Sequence, residues 1–257
     1  MEFWGIDLKV LVVDDSAFMR KVITKMVDSD PQLTVVGTAF DGYNALKKIE
    51  QLDPDIITLD VNMPRMDGLT TLKQIMKINP KPVVMVSATT KEGAEITFQS
   101  LKLGAVDYIQ KPSGQISLDI ETVRNELVEK IKTAAQANIV THEHETYSPI
   151  TISQKNTEKI ITIGASTGGP PAVEEVLVHL PKNSPPILIV QHMPLGFTKL
   201  FAERLDKLCR FQVKEAEQGD VIEQGFALIA PAGQHMKVSS NGRVKLDKGP
   251  TQHGVRP

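Results

Sequence analysis

The sequence predicts an α/β protein of two domains, because short apolar runs alternate with helix-like segments in both halves of the chain. A length of 257 residues is consistent with one to two domains. Alternation with helices predicts a parallel sheet, and open parallel sheets gather functional residues at the carboxyl ends of their strands. The five apolar runs of the first half that read as strands are Lys9–Val13, Thr34–Val36, Asp55–Leu59, Val83–Val86 and Val106–Ile109.

Four of these five predicted strands end beside a residue that can bind metal or phosphate. Asp14 and Asp15 follow the first strand, and Asp60 follows the third. Ser87 follows the fourth strand, and Lys111 lies just beyond the fifth. We therefore expect three carboxylates, a hydroxyl and an ammonium group in one pocket.

Carboxylates gathered in this way need a counter-charge. Two of them about 4 Å apart repel by roughly 1 kcal/mol in water and roughly 4 kcal/mol near a protein surface. Mg²⁺ suits a site with one or two carboxylates and an incoming phosphate. Asp60 would then be the nucleophile that forms an aspartyl phosphate, while Lys111 and the Ser87 hydroxyl hold phosphoryl oxygens. This pattern predicts a phosphorylation-dependent switch.

Simpler interpretations exist for the same residues. Asp14, Asp15 or Ser16 could serve only as the N-cap of the helix that follows. Lys111 and Pro112 could form only a turn. Independent caps and turns have no reason to fall at the same end of successive strands, however, so their conjunction favours the shared pocket.

These residues resemble the receiver domain of two-component response regulators over residues 7–133. The motifs that carry the resemblance are LVVDDS at 11–16, TLDVNMPRMDG at 58–68 and KPSG at 111–114. The resemblance implies a flavodoxin-like (βα)5 fold with strand order 2-1-3-4-5. It also implies phosphorylation by a chemotaxis histidine kinase.

The resemblance further assigns a role to each polar residue of the pocket. It implies that the phospho-acceptor is Asp60. The implied Mg²⁺ ligands are Asp14 through water, Asp15 directly, Asp60, and Asn62 through its backbone carbonyl. The implied switch residues are the hydroxyl of Ser87, the inward-turning ring of Tyr108, and Lys111.

After the first domain the apolar period is lost, and polar, weakly hydrophobic residues predict a linker over 134–158. A second α/β pattern then occupies 159–257. Its predicted elements are a strand at Lys159–Ile163, a helix at Pro171–Leu180 and a strand at Ile187–Val190.

The joins after these two strands hold the reactive residues of the second half. The segment GASTGG at 164–169 contains G-x-S-x-G, a turn that lifts the Ser166 hydroxyl above a sheet beside backbone N–H groups. A serine needs a base and donors for the developing oxyanion, and His192 follows the next strand. A phosphate-binding loop is the alternative, although the segment lacks both the G-x-G-x-x-G spacing and the lysine of a P-loop. His192 could also be structural.

The second half resembles the catalytic domain of the CheB chemotaxis methylesterases. The matching motifs are IGASTGGP at 163–170, VQHMPLGFT at 190–198, EAEQGDV at 215–221 and IAPAGQHM at 229–236. The resemblance implies that Ser166 is the nucleophile, that His192 is the general base, and that the oxyanion loop consists of Thr167, Gly168 and Gly169. It implies hydrolysis of glutamate γ-methyl esters on methyl-accepting chemoreceptors, and possible receptor-glutamine deamidation, without a cofactor.

The third catalytic residue of that family, an aspartate in a glycine-rich segment, is expected beyond Pro257. The second domain is therefore expected to be an incomplete doubly wound, Rossmann-like α/β fold, and the chain a fragment of reduced activity. Asp220 and Asp247 do not stand in the expected sequence context. A catalytically silent module that binds receptor or kinase in a phosphorylation-dependent way remains an alternative.

The charge composition of the chain bears on which functional classes remain open. A net charge of −2 gives no general attraction to nucleic acid or anionic lipid, and residues 159–257 hold 12 Lys and Arg against 9 Asp and Glu. A DNA-binding output module is therefore disfavoured.

The single cysteine, Cys209, excludes an intramolecular disulfide and fits a reducing compartment. No apolar run approaches the roughly 20 residues that cross a bilayer. We expect a cytoplasmic monomer.

Overall fold

A computed structural model describes residues 7–87, 91–111, 119–137, 159–252 and 255–256. Internal contacts divide the chain into two compact units, residues 1–142 and 143–257. No helix in the described ranges is both long and apolar enough to cross a membrane.

The first unit is a parallel sheet with a helix between each pair of consecutive strands. The order β2-β1-β3-β4-β5 confirms the implied fold. Its strands are β1 (Leu8–Val13), β2 (Leu33–Ala39), β3 (Ile56–Asp60), β4 (Val83–Ser87) and β5 (Asp107–Gln110). Its helices are α1 (Ala17–Val27), α2 (Gly42–Leu52), α3 (Gly68–Ile78), α4 (Lys91–Lys102) and α5 (Asp119–Ala135).

The central strands β3 and β4 are buried along their whole length, as expected of parallel strands covered on both faces. On one face, Val10 and Val12 pack in a single core cluster with Ile23, Leu127 and Ile131 of α1 and α5. Helix α5 extends two residues into the predicted linker, because Ala134 is fully buried in this cluster. Residues 138–158 of that predicted linker lie outside the described residues.

Helices α1, α2 and α3 begin in the same way. In each, the residue before the helix accepts a hydrogen bond from a backbone N–H of the first turn, which satisfies a donor that has no partner within the helix. The three N-caps are Ser16, Asp41 and Asp67. Ser16 is thus the cap of α1, and neither Asp14 nor Asp15 is needed for that purpose.

The second unit is also a parallel α/β structure. Its sheet has the order β6-β7-β9-β8, and an antiparallel pair, β10-β11, follows it. The strands are β6 (Ile161–Ala165), β7 (Ile187–Gln191), β8 (Gln212–Glu215), β9 (Phe226–Ile229), β10 (His235–Val238) and β11 (Val244–Asp247). The helices are α6 (Gly169–His179) and α7 (Phe197–Leu208).

The first predicted strand and the predicted helix of this unit are displaced. The first strand begins two residues later than predicted and runs to Ala165, up to the reactive loop. Helix α6 begins at Gly169, two residues earlier than predicted, because Pro170 and Pro171 lie in its first turn. Prolines are tolerated there, since the N–H groups they lack would have no partner inside the helix.

Candidate functional sites

Strand register brings the reactive residues of the first unit to one edge of its sheet. Val13 of β1 pairs with Leu59 of β3, so Asp14 and Asp60 stand side by side one position further on. The backbone N–H of Lys111 donates to the carbonyl of Ser87 at 2.7 Å, which draws the chain after β5 towards the end of β4.

The Lys111 ammonium bridges two buried carboxylates. Its Nζ lies 2.9 Å from Asp14 Oδ2 and 2.7 Å from Asp60 Oδ2. Both aspartates are almost fully buried, whereas the lysine side chain is 22% exposed. Charge-assisted contacts of this length are stronger than hydrogen bonds between neutral groups, so they fix all three side chains.

Backbone hydrogen bonds hold the loop that follows β1. Asp14 Oδ1 accepts the N–H of Ser16 at 2.8 Å. The Arg20 guanidinium donates to the carbonyl oxygens of Asp14 at 2.8 Å and Asp15 at 3.0 Å. The Asp15 side chain, which takes no part in these contacts, is exposed.

The aspartates of this edge form a suitable cation site. Oxygen atoms of Asp14, Asp15 and Asp60 all lie within 4.8 Å of one another. The Lys111 ammonium and the Arg20 guanidinium contact these residues, so the three carboxylates leave an excess of one negative charge. An all-oxygen donor set with this charge fits Mg²⁺, which prefers hard oxygen ligands.

Burial is the largest single influence on the pKa of each of the two central groups, Asp60 and Lys111. It raises the pKa of Asp60 to about 6, and the Asp14 charge adds to this rise while Lys111 opposes it. Burial lowers the pKa of Lys111, but hydrogen bonds to Asp60 and Asp14 more than offset this, so its pKa lies above the ordinary value. The lysine therefore stays charged.

The other predicted receiver residues are Ser87, Tyr108 and Asn62. Ser87 is fully buried, and its Oγ donates to the Gly93 carbonyl at 3.3 Å. The Tyr108 ring is buried, and Lys130 Nζ lies 5.1 Å from its centroid. The Asn62 N–H donates to Asp60 Oδ1 at 3.3 Å, while a ligand role for its carbonyl stays a prediction.

Sequence reasoning quoted Gly68 at the end of a receiver motif but assigned it no role. A β-carbon at this residue would lie 2.1 Å from the carbonyl oxygen of Asp60 and 2.9 Å from the α-carbon of Val61. The Gly68 N–H donates to the Val61 carbonyl at 2.9 Å, which closes the loop after β3. The signal in the sequence was the Asp67-Gly68 dipeptide, because Asp-Gly is typical of a tight turn.

Register also places the reactive pair of the second unit. Ala165 of β6 pairs with Gln191 of β7, and the next residues are Ser166 and His192. The His192 N–H donates to the Ala165 carbonyl at 3.2 Å. Ser166 Oγ then lies 3.2 Å from His192 Nδ1, within reach for proton transfer, and both residues are exposed.

The loop after Ser166 turns into α6 through Gly168, which caps the helix with φ at +72° and without a side-chain hydrogen bond. The Gly169 N–H donates to the Ser166 carbonyl at 2.8 Å. This bond uses the Gly169 N–H within the turn, and Pro170 and Pro171 have no N–H. Of the three predicted loop residues, Thr167 and Gly168 therefore stay the predicted oxyanion donors.

Within the described part of the chain, no carboxylate forms a hydrogen bond with the His192 ring. Asp220 instead contacts the Lys214 ammonium at 3.0 Å and accepts the Glu217 N–H at 2.8 Å. Asp247 pairs with Lys237. Neither aspartate therefore orients the imidazole.

A second hydrogen-bond group in this unit was not anticipated. The buried Thr198 hydroxyl, in the first turn of α7, donates to Glu215 Oε1 at 2.5 Å. The same Oγ1 accepts the Ala232 N–H at 3.2 Å. One threonine thus joins three of the four sequence motifs that were singled out in this half of the chain.

Two family models match the chain. The response regulator receiver domain model matches residues 10–122, and the CheB methylesterase model matches residues 161–257. Among relatives named protein-glutamate methylesterase/protein-glutamine glutaminase, the one from Halalkalibacterium halodurans is 52% identical over 97% of this chain and 74% of its own length. The relative from Symbiobacterium thermophilum is 49% identical over the same shares, and that from Pyrococcus abyssi is 45% identical over 100% of this chain and 73% of its own.

Two solved structures are similar in sequence. The response regulator domain of Thermotoga maritima CheB is 51% identical, with a TM-score of 0.47, over 51% of this chain and 98% of that one. The methylesterase catalytic domain of Thermotoga maritima CheB is 48% identical, with a TM-score of 0.37, over 38% of this chain. The matched region spans 55% of that catalytic domain.

Proposed function

The chain belongs to the CheB methylesterase family of response regulators, and from this premise we propose that it hydrolyses glutamate γ-methyl esters on chemoreceptors under the control of phosphorylation at Asp60. It is a carboxylic ester hydrolase of chemotaxis with a receiver domain. The single observation that supports its chemistry is the 3.2 Å separation of Ser166 Oγ from His192 Nδ1.

Hydrolysis proceeds in two steps. Ser166 Oγ attacks the ester carbonyl carbon while His192 takes its proton, and methanol leaves with that proton as the acyl-enzyme forms. Water then attacks the acyl-enzyme with help from the same imidazole, which releases glutamate and restores Ser166. Because Nδ1 faces the serine, it must be unprotonated at the start, so the neutral ring carries its proton on Nε2.

Backbone donors after the nucleophile stabilise the developing oxyanion. A loop whose N–H groups are already fixed gives this stabilisation without reorganisation during the reaction. Glutamine deamidation would use the same residues, with ammonia as the leaving group in place of methanol. The relatives' second named activity, protein-glutamine glutaminase, supports including it in the proposal.

In the receiver domain, the Asp60 carboxylate accepts a phosphoryl group from a histidine kinase. Receiver domains generally bind Mg²⁺ for this reaction, and Asp14, Asp15 and Asp60 with the Asn62 carbonyl would hold it here. The ion, when bound, neutralises charge on the transferring phosphoryl group. Lys111, which contacts Asp60, would bind a phosphoryl oxygen, and so would the Ser87 hydroxyl at the end of the neighbouring strand.

The partners in this proposal are chemoreceptors as substrate and a histidine kinase as phosphoryl donor, which implies action in the cytoplasm. Phosphorylation of Asp60 would raise the hydrolase activity of the second unit. The two family matches support the kinase as partner and the regulation by phosphorylation, because a receiver domain and a methylesterase domain occur on one chain.

Two measurements test the hydrolase. Methanol release from methylated receptors should occur with the wild type and be lost in Ser166→Ala, and a fluorophosphonate probe should label the wild type at Ser166. The matched control is Ser240→Ala, which removes an exposed hydroxyl and should change neither result. Undiminished methanol release by Ser166→Ala would end the esterase assignment.

The phospho-acceptor is tested separately with acetyl phosphate and Mg²⁺. Asp60→Asn should incorporate no phosphate. Asp55→Asn is the control, because Asp55 lies at the amino end of β3, whereas Asp60 lies at its carboxyl end. Asp55 accepts the Lys9 N–H at 2.8 Å. Continued labelling of the Asp60 variant would show that another residue accepts the phosphoryl group.

A further inference from the structure

A buried carboxamide lies between the two halves of the reactive pair. Gln191 ends β7 and is only 2% exposed. Its Nε2 donates to the carbonyl oxygen of Ser166 at 3.0 Å and to that of His192 at 3.1 Å. One side chain therefore ties together the backbones of the proposed nucleophile and the proposed base.

The orientation of this carboxamide is determined by its surroundings. The reversed orientation would place Oε1 against two carbonyl oxygens, neither of which can donate. As placed, Oε1 has no hydrogen-bond partner among the described residues and lies against the α-carbon of Gly169. A β-carbon at Gly169 would be 2.0 Å from this oxygen, so only glycine leaves space for the side chain.

The Ser166 carbonyl is held from two directions. It accepts both the Gln191 carboxamide at 3.0 Å and the Gly169 N–H at 2.8 Å, which occupies the two lone pairs of a carbonyl oxygen. In a planar trans peptide, the carbonyl of one residue and the N–H of the next point in opposite directions. Fixing the Ser166 carbonyl therefore also fixes the direction of the Thr167 N–H.

We propose that Gln191 is a positioning residue for the reaction. Its two hydrogen bonds set the distance between Ser166 and His192 and aim the Thr167 N–H at the position of the oxyanion. Gln191 touches no reacting atom, and it acts through the backbone of the residues that do. This inference rests on the proposed function, because it concerns the same serine and histidine.

The test compares three variants of the whole chain. Gln191→Met keeps the length of the side chain but removes both donated hydrogen bonds, and Gln191→Glu also places a carboxylate beside two carbonyl oxygens. Gln224→Met is the matched control, because Gln224 likewise donates to a backbone carbonyl, that of Asn183 at 2.6 Å, but is exposed and far from Ser166 in sequence.

The first measurement is the rate of Ser166 labelling by a fluorophosphonate, together with KM and kcat for methanol release. We expect labelling and kcat to fall by about 10–100-fold in Gln191→Met and further in Gln191→Glu, with KM unchanged, since small displacements of reacting groups cost about 10²-fold. Gln224→Met should match the wild type. Wild-type labelling rates in both Gln191 variants would overturn the inference and leave the proposed function intact.

The second measurement does not depend on catalysis. In ¹⁵N-labelled protein, the amide resonances of Thr167 and Gly169 should shift in Gln191→Met and remain in place in Gln224→Met. If the wild type is not labelled by the probe, the proposed function fails, and this measurement still decides the positioning. Unchanged Thr167 and Gly169 resonances in Gln191→Met would overturn it.

Discussion

A methyl group on the α-carbon of Gly169 would lie 2.0 Å from Oε1 of Gln191 and 2.8 Å from the β-carbon of Ala165. Alanine is otherwise the better residue in a helix, by up to about 1 kcal/mol over glycine. Here the overlap should prevail, and we expect Gly169→Ala to lower the free energy of unfolding by about 1–3 kcal/mol, as in other overpacked sites. Fluorophosphonate labelling of Ser166 should slow in parallel.

Substitutions at two neighbouring glycines, Gly164 and Gly168, distinguish this steric overlap from other effects of an added methyl group. Gly164 has no atom within 4 Å of its would-be β-carbon, so Gly164→Ala should be nearly neutral in thermal unfolding. Gly168 also faces open space, but its φ of +72° makes alanine cost about 1–2 kcal/mol through backbone strain alone. If Gly169→Ala unfolded at the same temperature as Gly164→Ala, the close fit to Gln191 would be refuted.

Thr198 offers a prediction about hydrogen bonding in the second unit. Thr198→Val keeps the shape of the side chain but leaves the Ala232 N–H and the Glu215 carboxylate without their shared partner. We expect a loss of about 1–3 kcal/mol, the usual cost of an unsatisfied buried group. Urea unfolding measures it. Thr198→Ser keeps the hydroxyl and should recover most of the loss, and equal losses in both variants would attribute the effect to packing.

The positions of the reactive residues could be predicted from the sequence because parallel strands leave little freedom at their carboxyl ends. Once β1 and β3 pair in register, Asp14 and Asp60 must be neighbours. The same holds for Ser166 and His192 after β6 and β7. Strand pairing is set by apolar runs that are visible in the sequence, so the reactive pairs follow from it.

Features that depend on one side chain filling a particular space could not be predicted. Three polar residues preceded α1, and only the backbone geometry shows that Ser16 caps it. The burial of Gln191 depends on the absence of a side chain at Gly169, a residue separated from it by 22 positions. Helix α5 extends past residue 134, where the linker was predicted to begin, because Ala134 packs in a core formed by distant segments.

Gly68 gives a corresponding prediction for the receiver domain. In Gly68→Ala, the added β-carbon would overlap the Asp60 carbonyl oxygen at 2.1 Å, and backbone atoms cannot rotate away as a side chain can. We expect a loss of at least about 1–3 kcal/mol of stability and slower phosphorylation by acetyl phosphate. Gly37→Ala is the control, since its nearest contact is the end of the Leu52 side chain, which can move. Equal losses in the two variants would contradict this reasoning.

The raised pKa of Asp60 predicts how the stability of the first unit depends on pH. Burial raises this pKa from 3.8 to about 6, so between these values the folded state binds a proton that the unfolded state has released. The stability contributed by protonated Asp60 is complete below pH 3.8 and is lost as pH rises through 6. At about 1.36 kcal/mol per pKa unit, the loss is about 3 kcal/mol.

Asp60→Asn cannot ionise, so in buffer with a metal chelator its stability relative to the wild type should increase by about 2–3 kcal/mol as the pH rises from 4 to 7. Hydrogen exchange of amides in β3 and β4 measures this within the whole chain.

Asp53→Asn is a control of opposite sign, because a hydrogen bond from Lys81 lowers the pKa of Asp53, and asparagine tolerates its φ of +43°. That variant should lose stability relative to the wild type as the pH rises through 4. If the difference in free energy of unfolding between Asp60→Asn and the wild type did not change with pH, burial would not destabilise the Asp60 carboxylate. The excess negative charge of the cluster would then already be compensated within the protein, and it would not favour a divalent cation.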